Sequence, residues 1–510
     1  MTATIRNFIP DYSPTGHVAL LHAPDARAAA AFRATAQASN LAGFAHFTHQ
    51  HENAGGEEVV IKGNKRLLAY DLLAGGLVGA CLCVAALPAS AADPQTNVWP
   101  DDWLGWQTMT GDWGGLRTDL QNDGIKVNAH YVSEAAGNPV GGLEQGGAEA
   151  GEFGFGIDMK SDILGWEGGT FHSLITERAG SNLSKAKIGN LLTVQEIYGD
   201  GQTTRITQLS YEQTLFSGLL DVEAGRMNVE NDFATSPKYF GQSLYCNFQN
   251  NSICGTPIAA PINSNGYVAY PASSLGAKVK LFLQKNIYVE TGAYEVNPSL
   301  YAASNGFKFG PSGAQGVFTP VEAGITPYLG GLAGNYRVGA YYDNSDNTTA
   351  VGQATKFLPA NSPLLSSLPM EMRAGRYGGW VQADQEIEGD TEGKKGTVLF
   401  SAFEWGDRAT SLITWYGEAG IVRSGTFAGR DADTVALGFA LANINSELLA
   451  FQKANGTPAT AEEMMLELNY GYALAPWLNL RPGVQYVWHP DGEAERRNAV
   501  VLMLKTGVTF

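Results

Sequence analysis

Beyond residue 92 this chain has no run of about 18 apolar residues, so no helix there is apolar enough to cross a bilayer. Charge is sparse and skewed, with 16% of the 510 residues charged and a formal net charge of −17. That balance argues against a nucleic-acid partner, which needs clustered Lys and Arg. Catalytic signatures are missing too. There is no Gly-x-Ser-x-Gly elbow, His-Glu-x-x-His pair or P-loop, and His130, His172 and His489 lie far apart. The chain reads as a non-enzyme with no cofactor and no metal. Cysteine is rare, with four in all, and Cys81 and Cys83 fall in an apolar leader. Cys246 and Cys254 remain, and in an oxidising compartment such a pair favours a disulfide over a metal site.

What the chain does have is glycine, aromatics and strict alternation. It carries 62 Gly and 10% aromatic residues at a mean hydropathy of −0.12. In the last stretch, Val500, Leu502, Leu504, Thr506, Val508 and Phe510 fall on one face of an extended chain. Val501, Met503, Lys505, Gly507 and Thr509 fall on the other. The run before it sets Leu478, Leu480, Pro482, Val484, Tyr486 and Trp488 against Asn479, Arg481, Gly483 and Gln485. Period two with one apolar face marks a β-strand. About ten residues of it, with aromatics at the ends, suits a transmembrane barrel strand.

Sixteen such segments run from Ile125–Ala135 to Asn498–Phe510. The predicted fold is therefore all-β, a 16-stranded antiparallel transmembrane β-barrel preceded by a short N-terminal periplasmic helix. Leu116 and Leu120, four apart with Gly124 as the stop, define that helix. Connections after even-numbered strands are short, as at Ser217–Gly218 and Lys285–Asn286. Those after odd-numbered strands run long, as over Gly180–Thr204 and Val229–Ser274, although the one at Arg408 is short. Long loops outside and short turns inside are the asymmetry of bacterial barrels, which places the protein in the outer membrane of a Gram-negative cell. A soluble secreted β-sandwich gives no reason for that parity.

The leader has the parts of a secretion signal. Lys62, Lys65 and Arg66 precede an apolar run from Leu67 to Leu87, and Ala89-Ser90-Ala91 forms a cleavage site. Residues 60–91 are thus read as the signal peptide, and 1–59 as an untranslated leader upstream of a misplaced start. Residues 92–124 form a periplasmic segment and 125–510 the barrel.

Several segments resemble the OprB family of carbohydrate-selective porins. They include Thr110-Gly111-Asp112-Trp113-Gly114-Gly115-Leu116-Arg117, the run Asp221–Asn228 into Asp232–Pro237, and the stretch from Cys246 to Pro257. Pro476-Trp477-Leu478, Pro482–Tyr486 and Pro490-Asp491-Gly492 extend the likeness to the last strand. Lys505 departs from it, standing where Arg is expected. The resemblance implies passive passage of glucose and other small carbohydrates through a sixteen-stranded outer-membrane barrel, and the sequence leaves both a monomer and a homo-trimer open.

A sugar path needs charged or amide groups that meet hydroxyls in several directions, and aromatic walls for sugar C–H faces. Binding must stay weak so that the solute leaves. The strands flanking the second and third outward loops supply Gln208, Glu212, Asp221 and Glu223, with Glu177, Arg178 and Arg226 at strand ends. Arg337 joins them as a charge that would be costly in lipid. Arg226 falls out of step with Glu223, so a bulge or an outward-end position has to be assumed there. A Cys246–Cys254 disulfide in the third outward loop would stiffen a constriction. The rival readings are a non-selective or anion-type porin and an outer-membrane barrel enzyme.

Overall fold

A computed structural model describes residues 102–510 except 198–201, 236–245, 255–267, 353–370, 391–394 and 457–458. The leader and signal segment lie outside the described residues. Sixteen strands form the wall. The first eight are β1 Ile125–Val140, β2 Gly146–Lys160, β3 Gly169–Gly180, β4 Thr204–Leu215, β5 Leu220–Met227, β6 Ser274–Gln284, β7 Ile287–Val296 and β8 Gly316–Ile325. The second eight are β9 Leu332–Thr348, β10 Met372–Gly389, β11 Gly396–Gly406, β12 Ile413–Ser424, β13 Thr434–Ile444, β14 Glu462–Ala475, β15 Leu478–Trp488 and β16 Ala499–Thr509. Tyr328–Leu329 pairs only with Leu332 and Ala333, as the tip of the β8–β9 turn.

Each strand pairs antiparallel with its neighbours in sequence, and β16 pairs with β1 to close the sheet. Closure leaves no edge with unpaired backbone groups, which is what lets strands stand in lipid. Alternation sorts the two faces. Leu502 is 57% exposed on the outside of β16, while Lys505 on the inside is 4% exposed. Phe153, Phe155 and Ile157 on β2 and Leu399 and Phe403 on β11 likewise face outward. Turns at one end are tight, such as residues 285–286, whereas residues 181–203 and 228–273 connect strands at the other. Two outer connections are short, residues 141–145 and 407–412. The outer connection after β13 holds a helix, Ser446–Ala454, capped by Asn445, whose Oδ1 accepts from Glu447 N.

The N-terminal segment is tied to the end of the barrel. Helix α1, Leu116–Asn122, follows Gly114 and Gly115, both at positive φ, a conformation glycine adopts without a Cβ penalty. Asp112 Oδ1 then accepts from Thr118 N at 3.0 Å, supplying a partner for a first-turn donor. Met109 N donates to Thr509 O at 2.8 Å, and Arg117 Nη2 donates to Phe510 O at 2.9 Å. The Gly-Asp-Trp-Gly-Gly-Leu-Arg stretch thus builds a turn and helix that latch onto the last strand.

Several strand ends lie elsewhere than the sequence pattern placed them. β1 continues to Val140 and β9 to Thr348, because backbone pairing extends past the last alternating apolar residue. β12 begins at Ile413 rather than Thr410, since Ser411 N instead donates to Asp407 O in the short outer turn.

Candidate functional site

The inner wall divides into two unlike halves. From β11 through β16, small and aliphatic side chains dominate: Ala402, Ala436, Ala440, Ala442, Val487 and Val501 are all buried. Leu183, Ile188, Leu192 and Val194 from the second outer loop pack onto them, with Phe248 and Ile253 from the third. The described stretches that carry these side chains therefore lie inside the barrel. Burying one such side chain stabilises by about 1.5–3 kcal/mol. That is comparable to the roughly 1–2 kcal/mol per residue needed to order backbone. Packing alone leaves little surplus, so polar anchors matter.

The anchors are glutamates that project inward from the strands. Glu467 of β14 accepts from Gln249 N and Asn250 N, both at 2.9 Å. Glu463 accepts from Leu191 N at 2.8 Å and Leu192 N at 2.6 Å. Glu134 of β1 accepts from Ile197 N at 2.9 Å. Lys505 Nζ lies 3.2 Å from Glu134 and 3.0 Å from Glu196, and it donates to Phe248 O at 3.0 Å. One cation thus joins both loops to the last strand. Across the lumen, Glu322 of β8 accepts from Ala234 N at 2.8 Å, Tyr288 OH at 2.7 Å and Trp380 Nε1 at 2.9 Å. The third loop is therefore held by both sides of the wall. The Cys246–Cys254 disulfide closes a ring within the arm that packs on the apolar half. Beneath that ring lies a cavity of about 210 Å³ lined by Trp477, Asn479, Arg481, Lys505 and Thr509, among others.

The other half of the wall is charged. Gln208 Nε2 donates to Glu223 Oε1 at 3.2 Å, and Lys278 Nζ sits 2.9 Å from Glu223 Oε2. His172 bridges Asp158 at 2.9 Å and Glu212 at 3.4 Å, while Asp221 stands opposite Lys280 in the pairing of β5 and β6. Gln208, Glu212 and Glu223 are brought together on one patch of lumen surface, with Asp221 beside them. Arg337 lies apart on β9, 3.8 Å from Glu322.

Three further residues are placed differently from that patch. Arg178 is buried against Glu152, Nε to Oε2 2.5 Å, under the ring of Tyr270. Arg226 follows Gly225, whose φ of +147° lets the chain depart from simple alternation. Its guanidinium donates to Ser273 Oγ at 3.2 Å and to Lys308 O, holding the fourth outer loop at the rim. Glu177 is exposed on the opposite face from Arg178, the face that carries Ile175.

The anchoring residues Glu134, Glu322, Glu463, Glu467 and Lys505 were not singled out from the sequence, apart from Lys505 as a departure. Their signal was available in part, because each is a charge at an inward position of its strand. Which backbone amides they meet depends on loop paths that no periodicity encodes.

A closed sixteen-strand barrel with loops pinned inside its lumen is an outer-membrane porin. Residues 144–510 match the family described as "Carbohydrate-selective porin, OprB family". The chain belongs to that family. It is 34% identical to Porin B of Pseudomonas aeruginosa over 426 residues, covering 79% of this chain and 91% of that protein. A putative porin, QuiX, of Acinetobacter baylyi is 29% identical, covering 84% and 98% respectively. The high-pH structure of Pseudomonas putida OprB superposes with a TM-score of 0.73 at 32% identity, covering 80% of this chain and 99% of that one. The protein is thus an outer-membrane carbohydrate porin, a channel rather than an enzyme.

Proposed function

We propose that glucose-sized sugars cross along the charged half of the lumen, guided by Gln208, Glu212, Asp221, Glu223 and Arg337. The observation that carries this is the division of the inner wall. Two loops cover the apolar half, so the passage left beside them is bordered by carboxylates, amides and cations. Such groups satisfy hydroxyls that both donate and accept. Arg178 and Arg226 act in this reading as rim supports, because Arg178 is held against Glu152, and Arg226 against Ser273 and Lys308.

Asp158, Glu212, Asp221, Glu223 and Glu290 face the lumen alongside Lys278, Lys280 and His172. That acidic excess disfavours an anion-type porin. One chain encloses the whole passage, so a single barrel conducts whether it stands alone or in a homo-trimer. Native mass spectrometry in detergent separates these two states. Liposome swelling with glucose, a disaccharide and a neutral amino acid of glucose size tests the sugar reading. Fast glucose entry with slow entry of the other two is expected. Rates ordered by size alone would make this a general porin.

A further inference from the structure

The cavity beneath the Cys246–Cys254 ring lies against the loop-covered half of the wall, near the periplasmic end. Its sides are the inward faces of β15 and β16, with Asn479 and Arg481 on one strand and Lys505, Gly507 and Thr509 on the other. Pairing sets Asn479 opposite Gly507 and Arg481 opposite Lys505. Asn479 therefore faces a position with no side chain, and the wall leaves room there. The volume of about 210 Å³ is more than ten times the roughly 15 Å³ that one water needs.

Unlike the loop anchors, the groups around this space have hydrogen-bonding capacity left. Asn479 and Thr509 are partly exposed, and among the described residues neither side chain makes a hydrogen bond. Arg481 donates from Nη1 to Asn247 O at 3.2 Å, Thr434 Oγ1 at 3.1 Å and Asn469 Oδ1 at 3.0 Å, and from Nη2 to Asn247 Oδ1 at 3.2 Å. Its Nε makes no hydrogen bond among the described residues. Trp477 lines the periplasmic side. Its ring centroid lies 4.4 Å from that of Trp103, and its Nε1 donates to Trp103 O at 3.1 Å. With that N–H bonded, the indole offers the cavity hydrocarbon.

Charge decides between a neutral and an anionic occupant. Lys505 is already shared between Glu134 and Glu196, and Asn469 links Arg481 to Glu467 by donating to Glu467 Oε1 at 2.7 Å. Both cations thus have carboxylates of the chain to answer them, and no anion is called for. What remains is an amide and a hydroxyl that each donate and accept, a guanidinium N–H and an aromatic wall. That set suits the hydroxyls and the C–H face of a sugar ring. We propose that Asn479, Arg481 and Thr509, with Trp477 as the wall, form a weak exit subsite for a neutral monosaccharide at the periplasmic end of the lumen. The proposal rests on the sugar-porin reading and adds a second station, away from the charged half, where a sugar pauses before release.

The test uses Thr509→Cys in protein extracted from outer membranes, with Cys246 and Cys254 held in their disulfide. Thr509 is fixed through its backbone, donating to Trp477 O and accepting from Met109 N, so this near-isosteric change should leave the fold intact. The rate at which a small charged thiol reagent modifies the introduced thiol is followed with and without glucose. Glucose should slow the modification saturably, by about fivefold at about four times its half-effect concentration, and a neutral amino acid of glucose size should not. Adding Asn479→Ala should raise the half-protecting glucose concentration by about threefold to tenfold, the loss of one hydrogen bond. An unreactive thiol, one that glucose leaves unprotected, or protection that Asn479→Ala does not weaken would overturn the subsite. Liposome swelling with the wild type separates the causes. Fast glucose entry without protection overturns the subsite alone, whereas no glucose entry overturns the sugar reading and the subsite with it.

Discussion

Replacing Glu467 with leucine should release one arm of the third loop from the wall while leaving the barrel closed. Glu467 is fully buried, and its two carboxylate oxygens accept from consecutive backbone amides, Gln249 N and Asn250 N. Leucine fills a similar volume but leaves both donors buried without partners. Each orphaned donor costs about 1–3 kcal/mol, so the pair costs about 2–6 kcal/mol. Phe248 and Ile253 hold the same arm by packing, worth about 1.5–3 kcal/mol each before ordering costs. The lost anchor is therefore as large as that packing, and with Lys505 to Phe248 O and Tyr416 to Ser252 O still holding beside it the arm should be looser in its seat. Glu467→Gln keeps one acceptor oxygen and turns a donor toward the second amide, so it should give an intermediate effect. The assay is single-channel conductance together with the ratio of disaccharide to glucose entry in liposomes. Rising current noise and a rising ratio, in the order wild type, Gln, Leu, are expected with heat-modifiable folding retained. Identical conductance and size cut-off in all three proteins would refute the anchoring argument.

Other consequences are narrower. Lys505→Met strands Glu134 and Glu196 without their shared cation, a loss of about 3–5 kcal/mol that should appear as poor recovery of heat-modifiable barrel, with Lys505→Arg close to wild type. Cys246→Ser opens a ring of short span, for which chain entropy predicts less than about 3 kcal/mol. Because Glu467 and Tyr416 still hold that arm, current noise should rise less than in Glu467→Leu. Glu177→Ala removes a carboxylate from the outer face and should leave conductance and glucose entry unchanged, and a changed glucose rate would place Glu177 on the path after all.

The barrel was legible because each strand repeats the same two-residue code, and sixteen repetitions make local errors small. Loop parity added orientation without any knowledge of contacts. The Gly-Asp-Trp-Gly-Gly-Leu-Arg stretch was legible as a specific motif, although its role as a latch on Phe510 needed the folded chain. Alternation likewise grouped Gln208 with Glu212, and Asp221 with Glu223. It misjudged the company of Glu177, since adjacent residues on a strand cannot share a face. Loop cover over the inner wall of β13, with Ala436, Ala440 and Ala442, was not read from the strand's alternation. A run of small inward residues in a barrel strand is a hint of that kind, because a water-filled lumen gives no reason for Ala there.

The same wall yields a perturbation of opposite sign. A Cβ added at Gly438 on β13 would lie 2.7 Å from Ile253 Cδ1 and 2.8 Å from Phe248 Cε1, too close for either to stay where it is. Gly438→Leu adds more bulk than those side chains can absorb, and overpacking of this kind costs about 1–3 kcal/mol. The polar anchors are untouched: Glu467 still binds Gln249 N and Asn250 N, and Tyr416 still holds Ser252 O. With its backbone pinned and its side chains pushed from behind, the arm should bow toward the open half of the lumen. Conductance should then fall and glucose entry slow, where Glu467→Leu raises noise and admits larger sugars. A double variant distinguishes bowing from release, because with the anchor gone the pushed arm is free to move away and the narrowing should disappear. If Gly438→Leu alone widens the pore, packing rather than the glutamate holds the loop to the wall, and the order of importance argued here is reversed.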